Sequence, residues 1–338
     1  MSNTIDRREF LARAAFGAAT LTLSCVQPQP KPAARAPMGM FLSLPPWALA
    51  RKVGWPEQAR LAARVGYKGI DWPFGSAKAA GVEATRALFA ELGIAPTVTN
   101  LPMQAPLGAD DAAFEAQLPT LAEDAAFCRA IGCSRFQMVL GPTTLNGESK
   151  AEHLTLVQRR LSAMSAVLAK HDARLGIEFL GPLVFRRRRN RPGGAPVDPA
   201  APPPPPPVPF IWTLNETLAL CETSGPNVGV TLDAWHWYHS GGTVADIRAA
   251  KASRINHVHV SDARPMPPEE VLDNMRWLPG EGIIDLVGFF QALKAIGYEG
   301  GVAPEIIGPR IPDEMLPEES ARLGLEATIA VMTKAGVA

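Results

Sequence analysis

From Met38 onward, short apolar runs rich in β-branched or small residues alternate with longer stretches of helical period. This alternation constrains the fold more than any other feature of the chain. Candidate strands are "MGMFLSL" (38–44), "YKGIDW" (67–72), "IAPTVTN" (94–100), "SRFQMVL" (134–140), "RLGIEFL" (174–180), "NVGVTLD" (227–233), "INHVHVS" (255–261) and "GGVAPEI" (300–306). Amphipathic segments at 56–66, 82–93, 113–132, 151–171 and 286–297 fall between them. Gly66, Gly93, Gly132 and Gly297 stand just before the next strand, where a left-handed helix cap is expected. Eight strand-then-helix units over about 300 residues match the number and size of a (β/α)8 TIM barrel in the α/β class. A doubly wound sheet would use fewer units and a glycine-rich phosphate loop near the first strand, which this chain lacks. One barrel domain over 37–338 is therefore predicted.

Two segments break the rhythm. The Arg/Pro-rich stretch at 186–209 cannot form a packed element and is predicted as an insertion in a strand-to-helix loop. At the other end, "DRREFLARAAFGAATLTLSC" runs from paired arginines through an apolar stretch to Cys25. The apolar part, Ala14 to Leu23, is too short to span a bilayer as a helix and reads as the core of a signal sequence. "RREFL" resembles a twin-arginine export signal, so residues 1–25 are expected to direct export. Residues 26–36 are expected to form a disordered linker. A periplasmic protein and a membrane-anchored lipoprotein cleaved before Cys25 both fit, the latter with a lipid anchor on Cys25. The later cysteines, Cys128, Cys133 and Cys221, are odd in number and lie on apolar elements, which predicts buried thiols rather than a disulfide framework.

The 33 basic and 33 acidic residues cancel, which argues against nucleic acid as a partner and points to a small, roughly neutral molecule. Homo-oligomerisation is left open by the sequence.

In a (β/α)8 barrel, polar side chains at the C-terminal ends of the strands converge on one site. Strands 5 to 8 end in Glu178, Asp233, His259 and Glu305, each inside an otherwise apolar run. A lone buried carboxylate is costly, and a shared cation offsets that cost for three carboxylates together. A hard divalent ion such as Mn²⁺ or Mg²⁺ suits an oxygen-rich set with one imidazole; Mn²⁺ is the favoured choice, with Co²⁺ and Zn²⁺ as alternatives. His257, two residues before His259, faces the same way one layer deeper and is expected to support the site. Asp262, just after strand 7, is expected to orient it. Trp47, Trp72 and Trp235 lie just past strand ends, where aromatic rings can wall a sugar site. His239 is expected to be a loop residue.

The stretches "GIEFLGP", "GVTLDAWHWYHSGG", "INHVHVSDAR", "LPGEGIID" and "GYEGGVAPEII" resemble the second half of the xylose isomerase-like barrels, the sugar phosphate isomerase/epimerase family. The resemblance implies that Glu178, Asp233, His259 and Glu305 bind the metal. It also implies that Glu178 and Glu305 exchange a proton with the carbon beside the substrate's carbonyl. His236, in a "DxxH" pattern after Asp233, and Arg264, after the strand 7 motif, match substrate-contacting residues, and Glu281 matches an acidic residue facing the pocket. One departure is that "FLGPLVF" after Glu178 lacks the polar residues epimerases carry there. The expected activity is that of an isomerase or epimerase of an unphosphorylated sugar or keto-sugar. Alternatives are a metal-dependent lyase or dehydratase of keto-inositols or oxidised glycosides, and a non-catalytic carbohydrate-binding barrel.

Overall fold

In the computed structural model, which describes residues 39–145, 147–187 and 207–337, eight parallel strands close into a barrel in sequence order. They are β1 Met40–Leu44, β2 Gly69–Asp71, β3 Ala95–Asn100, β4 Arg135–Leu140, β5 Arg174–Phe179, β6 Val228–Asp233, β7 Ile255–Val260 and β8 Gly300–Pro304. Parallel strands covered by helices are buried on both faces, which is why they read as nearly continuous apolar runs. The expected export signal, Cys25 and the expected 26–36 linker lie outside the described residues, as does most of the 186–209 insertion. No helix among the described residues is long and apolar enough to cross a membrane.

The helices follow local chemistry. Glu57–Val65, Val82–Leu92 and Leu118–Ile131 each end on a left-handed glycine, Gly66, Gly93 and Gly132. Lys150–Ala169 starts from a capping box between Ser149 and Glu152. The single helix expected over 113–132 is instead two, Asp111–Glu115 and Leu118–Ile131. Pro119 has no amide hydrogen to give the carbonyl four residues earlier, so a continuous helix breaks before it. The three described cysteines are free and buried, as the sequence suggested.

Register sets the site. Asp233 pairs with His259, and His259 pairs with Ala303, so the ends of β6 to β8 lie level. Val139 on β4 pairs with Glu178 on β5 in the same way. Residues paired across parallel strands share a face, so these side chains stand together at the barrel's C-terminal rim.

Beyond β5 the chain passes Gly181, where an added Cβ would run into the carbonyl oxygen of His236. Backbone cannot yield there as a flexible side chain could. Gly181→Ala is therefore expected to destabilise the protein by about 1–3 kcal/mol. Thermal melts would show this as a lowered midpoint; an unchanged midpoint would contradict the contact.

Candidate metal centre

Glu178, Asp233, His259 and Glu305 are all buried, and one ligand atom from each lies within 4.8 Å of the others. His259 Nδ1 is 3.0 Å from Glu178 Oε1 and 3.1 Å from Glu305 Oε2. Asp233 also caps the short helix Ala234–His239, its Oδ1 accepting from the Trp235 amide at 2.8 Å. That bond fixes the carboxylate and leaves Oδ2 facing the other donors. Three carboxylates and one imidazole at this spacing have the number and chemistry to hold a divalent cation.

A cation of the chain's own also stands among them. Arg276, 1% exposed, donates from Nη1 to Asp233 Oδ2 at 2.7 Å and to Glu305 Oε2 at 2.9 Å. Its Nη2 donates to Asp273 Oδ1 at 2.7 Å and lies 3.4 Å from His236 Nε2. Trp47 Nε1 donates to the other Glu305 oxygen at 2.9 Å, and its ring meets His259 edge-on at 6.0 Å. Trp47 and His236 thus stand at the donor set.

The two glutamates are not equivalent. Burial, chiefly, raises the carboxyl of Glu178 above the usual range. Burial acts on Glu305 too, but Arg276 and His259 outweigh it and hold that carboxyl well below the usual range. For His259, burial is outweighed by Glu305 and Glu178, so its pKa is raised well above that of free imidazole. Two carboxyls whose environments push them apart suit one to hold a proton and the other to accept one.

Several expected residues stand elsewhere. Arg264 is exposed, its guanidinium 4.2 Å over the Trp277 ring, and the arginine at the donors is Arg276. The reason is a two-way backbone bridge between Asp262 and Trp277, which returns the chain to β7 after the 264–275 excursion and carries Arg276 inward. Asp262 touches none of the four donors. Its carboxylate accepts from the amides of Ala263, Gly280, Gly282 and Ile284, so it holds the loop that positions Arg276. Glu281 forms an ion pair with Arg310 at 2.8 Å rather than facing the donors. Trp72 is not a pocket wall: it packs on Phe74 and Phe127 with 2% exposure, because Asp71 before it points inward and neighbours on a strand alternate faces. Trp235 is likewise buried, beneath Arg276. His257 lies below His259 and donates from Nε2 to Asp71 at 2.8 Å. Burial, more than its acidic partner can offset, lowers its pKa.

Arg276, Asp71, Asn100 and Gln137 are absent from the sequence expectations. Gln137 Nε2 donates to Asn100 Oδ1 at 3.1 Å, and beside this pair Val139 is 52% exposed at the rim. Asp71 stands one residue before the end of the predicted 67–72 strand and ends the observed β2, close to the signal that marked the other acids. Arg276 has only its place two residues before "LPGEG".

His239 ends the helix that carries His236, its ring meeting Trp235 edge-on at 4.4 Å. Burial first, then His236 and Arg276, lower its pKa from 6.5 to about 4. The neutral ring is what the fold accommodates, so its contribution is complete above pH 6.5 and is lost as pH falls toward 4. The loss is about 3 kcal/mol by linkage. Urea titrations at pH 7.5 and 4.5 should show a smaller acid penalty in His239→Leu than in the wild type; equal penalties would refute the assignment.

Residues 59–329 match the model of the family described as xylose isomerase-like TIM barrel. An inosose isomerase of Halalkalibacterium halodurans is 29% identical over 123 residues, covering 36% of this chain and 43% of that protein. An inosose dehydratase of Klebsiella pneumoniae is 34% identical over 92 residues, covering 23% and 31%. The chain thus spans less than half the length of these curated relatives. A xylose isomerase domain protein from Alicyclobacillus acidocaldarius has a similar solved structure, with a TM-score of 0.75, 28% identity and coverage of 88% of this chain and 100% of that one.

Proposed function

The chain belongs to the xylose isomerase-like TIM barrel family, and on that premise we propose a divalent-metal-dependent isomerase or epimerase of an unphosphorylated sugar or keto-sugar. The observation that carries the reading is the convergence of Glu178, Asp233, His259 and Glu305 with a fixed guanidinium beside them. A divalent ion held by the four, Mn²⁺ by preference, would polarise a carbonyl and so acidify the adjacent C–H. Glu178 and Glu305 are the groups that remove and return that proton. His236, on one side of the set and with Nδ1 unpartnered among the described residues, is the group that donates a hydrogen bond to a substrate oxygen, and Arg276 holds the carboxylates beside it. Trp47 holds Glu305 by its outer oxygen. Arg276 is already engaged by carboxylates, so it is not a free phosphate receptor. The export signal expected from the sequence agrees with the same choice, because an exported enzyme would meet free sugars and glycosides.

The similarity to an inosose dehydratase favours a second reading, elimination from a keto-inositol or keto-glycoside with the same groups. One glutamate would then take the proton beside the carbonyl and the other would deliver a proton to the departing oxygen. A mass-resolved screen of ketoses, keto-inositols and keto-glycosides in deuterated water with Mn²⁺ tests both. Isomerisation gives a product of unchanged composition carrying solvent deuterium beside the carbonyl, and elimination releases water or an aglycone. The absence of both outcomes across the panel would refute the proposal.

A further inference from the structure

Behind His259 lies an acid that the proposed chemistry does not use. Asp71 is completely buried at the end of β2. Its Oδ1 accepts the Ser43 hydroxyl at 2.5 Å, and Ser43 Oγ is also 2.8 Å from Thr97 Oγ1. Its Oδ2 accepts from His257 Nε2 at 2.8 Å. The same oxygen lies 3.7 Å from His259 Nε2, a buried nitrogen with no hydrogen bond of its own. His259 is therefore flanked by carboxylates on both edges: Glu178 and Glu305 at Nδ1, Asp71 at Nε2.

The barrel interior keeps this arrangement open. Between β2 and β7 run β1 and β8, and β8 carries Gly301 at this depth. A Cβ there would meet Thr97 Cγ2 and come within 3.1 Å of His257 Cε1. The missing side chain lets two histidines from β7 reach an acid on β2.

We infer that Asp71, clamped by Ser43 and His257, is the positioning residue for His259. It sets the ring's rotation so that Nδ1 stays directed at the glutamates, and it strengthens that nitrogen as a donor. The inference rests on reading Glu178, Asp233, His259 and Glu305 as the cation-binding set. Imidazole ligands commonly present their second nitrogen to a carboxylate, and losing that partner lowers metal affinity about 10–100-fold. His257 is then a brace and not a ligand, its Nε2 committed to Asp71. Asp71, His257 and His259 also have the spacing of a cation site of their own, and a chain that used them so would bind two ions instead of one.

The test is Mn²⁺ titration of the full chain by calorimetry, with the visible spectrum of the Co²⁺-loaded protein as a readout of ligand geometry. One ion per chain is expected in the wild type. Asp71→Asn should weaken Mn²⁺ binding about 10–100-fold and alter the Co²⁺ spectrum while circular dichroism stays native. Ser43→Ala, which keeps the carboxylate but frees one of its oxygens, should give a smaller loss in the same direction. It carries the test if Asp71→Asn does not fold. Variants with wild-type affinity and spectrum would overturn the inference while leaving the site reading intact, and so would a stoichiometry of two. A wild-type chain that binds no divalent cation would overturn the site reading, and the inference with it.

Discussion

Arg276→Met is expected to destabilise the cation-free protein by about 3–5 kcal/mol, the usual cost of leaving a buried charge without its partner. One guanidinium nitrogen serves both Asp233 Oδ2 and Glu305 Oε2, so a single substitution removes the partner of two carboxylates at once. Neither acid can turn to water, since Asp233 is 0% and Glu305 7% exposed. The pH dependence has a defined sign. Glu305 is held below its ordinary pKa, burial being overcome by Arg276 and His259, so it contributes stability above the unfolded carboxyl's pKa and loses it as pH falls. Without Arg276 that contribution shrinks, and the variant's deficit is greatest at neutral pH and narrows in acid. Saturating Mn²⁺ should recover more stability in the variant than in the wild type, because the ion replaces the missing positive charge. Urea titrations at pH 7 and pH 4, with and without Mn²⁺, measure both effects. Wild-type stability in Arg276→Met would show that the guanidinium is not the counter-charge of this site.

The same residue shows what was legible in the sequence and what was not. Glu178, Asp233 and His259 could be found because each stands at, or one residue before, the end of its strand, and in a closed barrel strand ends fall on one rim whatever the loops do. Glu305 follows β8 directly and shares that logic. Arg276 and Arg264 come from a long excursion after β7, where position along the chain says little about position in space. The Asp262–Trp277 bridge decides between them, and a pairing of residues 15 positions apart in a loop has no local pattern. Trp72 illustrates the opposite limit. It lies one residue past an inward acid, so alternation alone sends it to the outer face, and reading Asp71 as the end of β2 would have supplied both the acid and the correction. The split of the expected 113–132 helix was likewise present in the sequence, in Pro119. Glu281 faces Arg310 because of how two loops meet, and neither loop announces the other.

Glu178→Gln and Glu305→Gln should each lower turnover by about 10²–10⁴-fold, the range for loss of a positioned acid or base. The amide keeps the size of the carboxyl but can neither take nor return a proton, so the fold is retained and the proton transfer is not. The two should fail differently. Glu178 has no arginine partner among the described residues, and its change removes little beyond the proton carrier and one donor oxygen. Glu305 also accepts from Trp47, Arg276 and His259, so its change should additionally disturb substrate placement and raise KM. Rates must be compared at saturating Mn²⁺, since both substitutions weaken the donor set. Deuterium exchange separates chemistry from binding. A variant that still exchanges the hydrogen beside the carbonyl but forms no product retains one half of the proton transfer, which identifies the remaining glutamate as the group that removes it. Full turnover in both variants would instead show that neither glutamate carries the proton, leaving the two acids to hold a cation only.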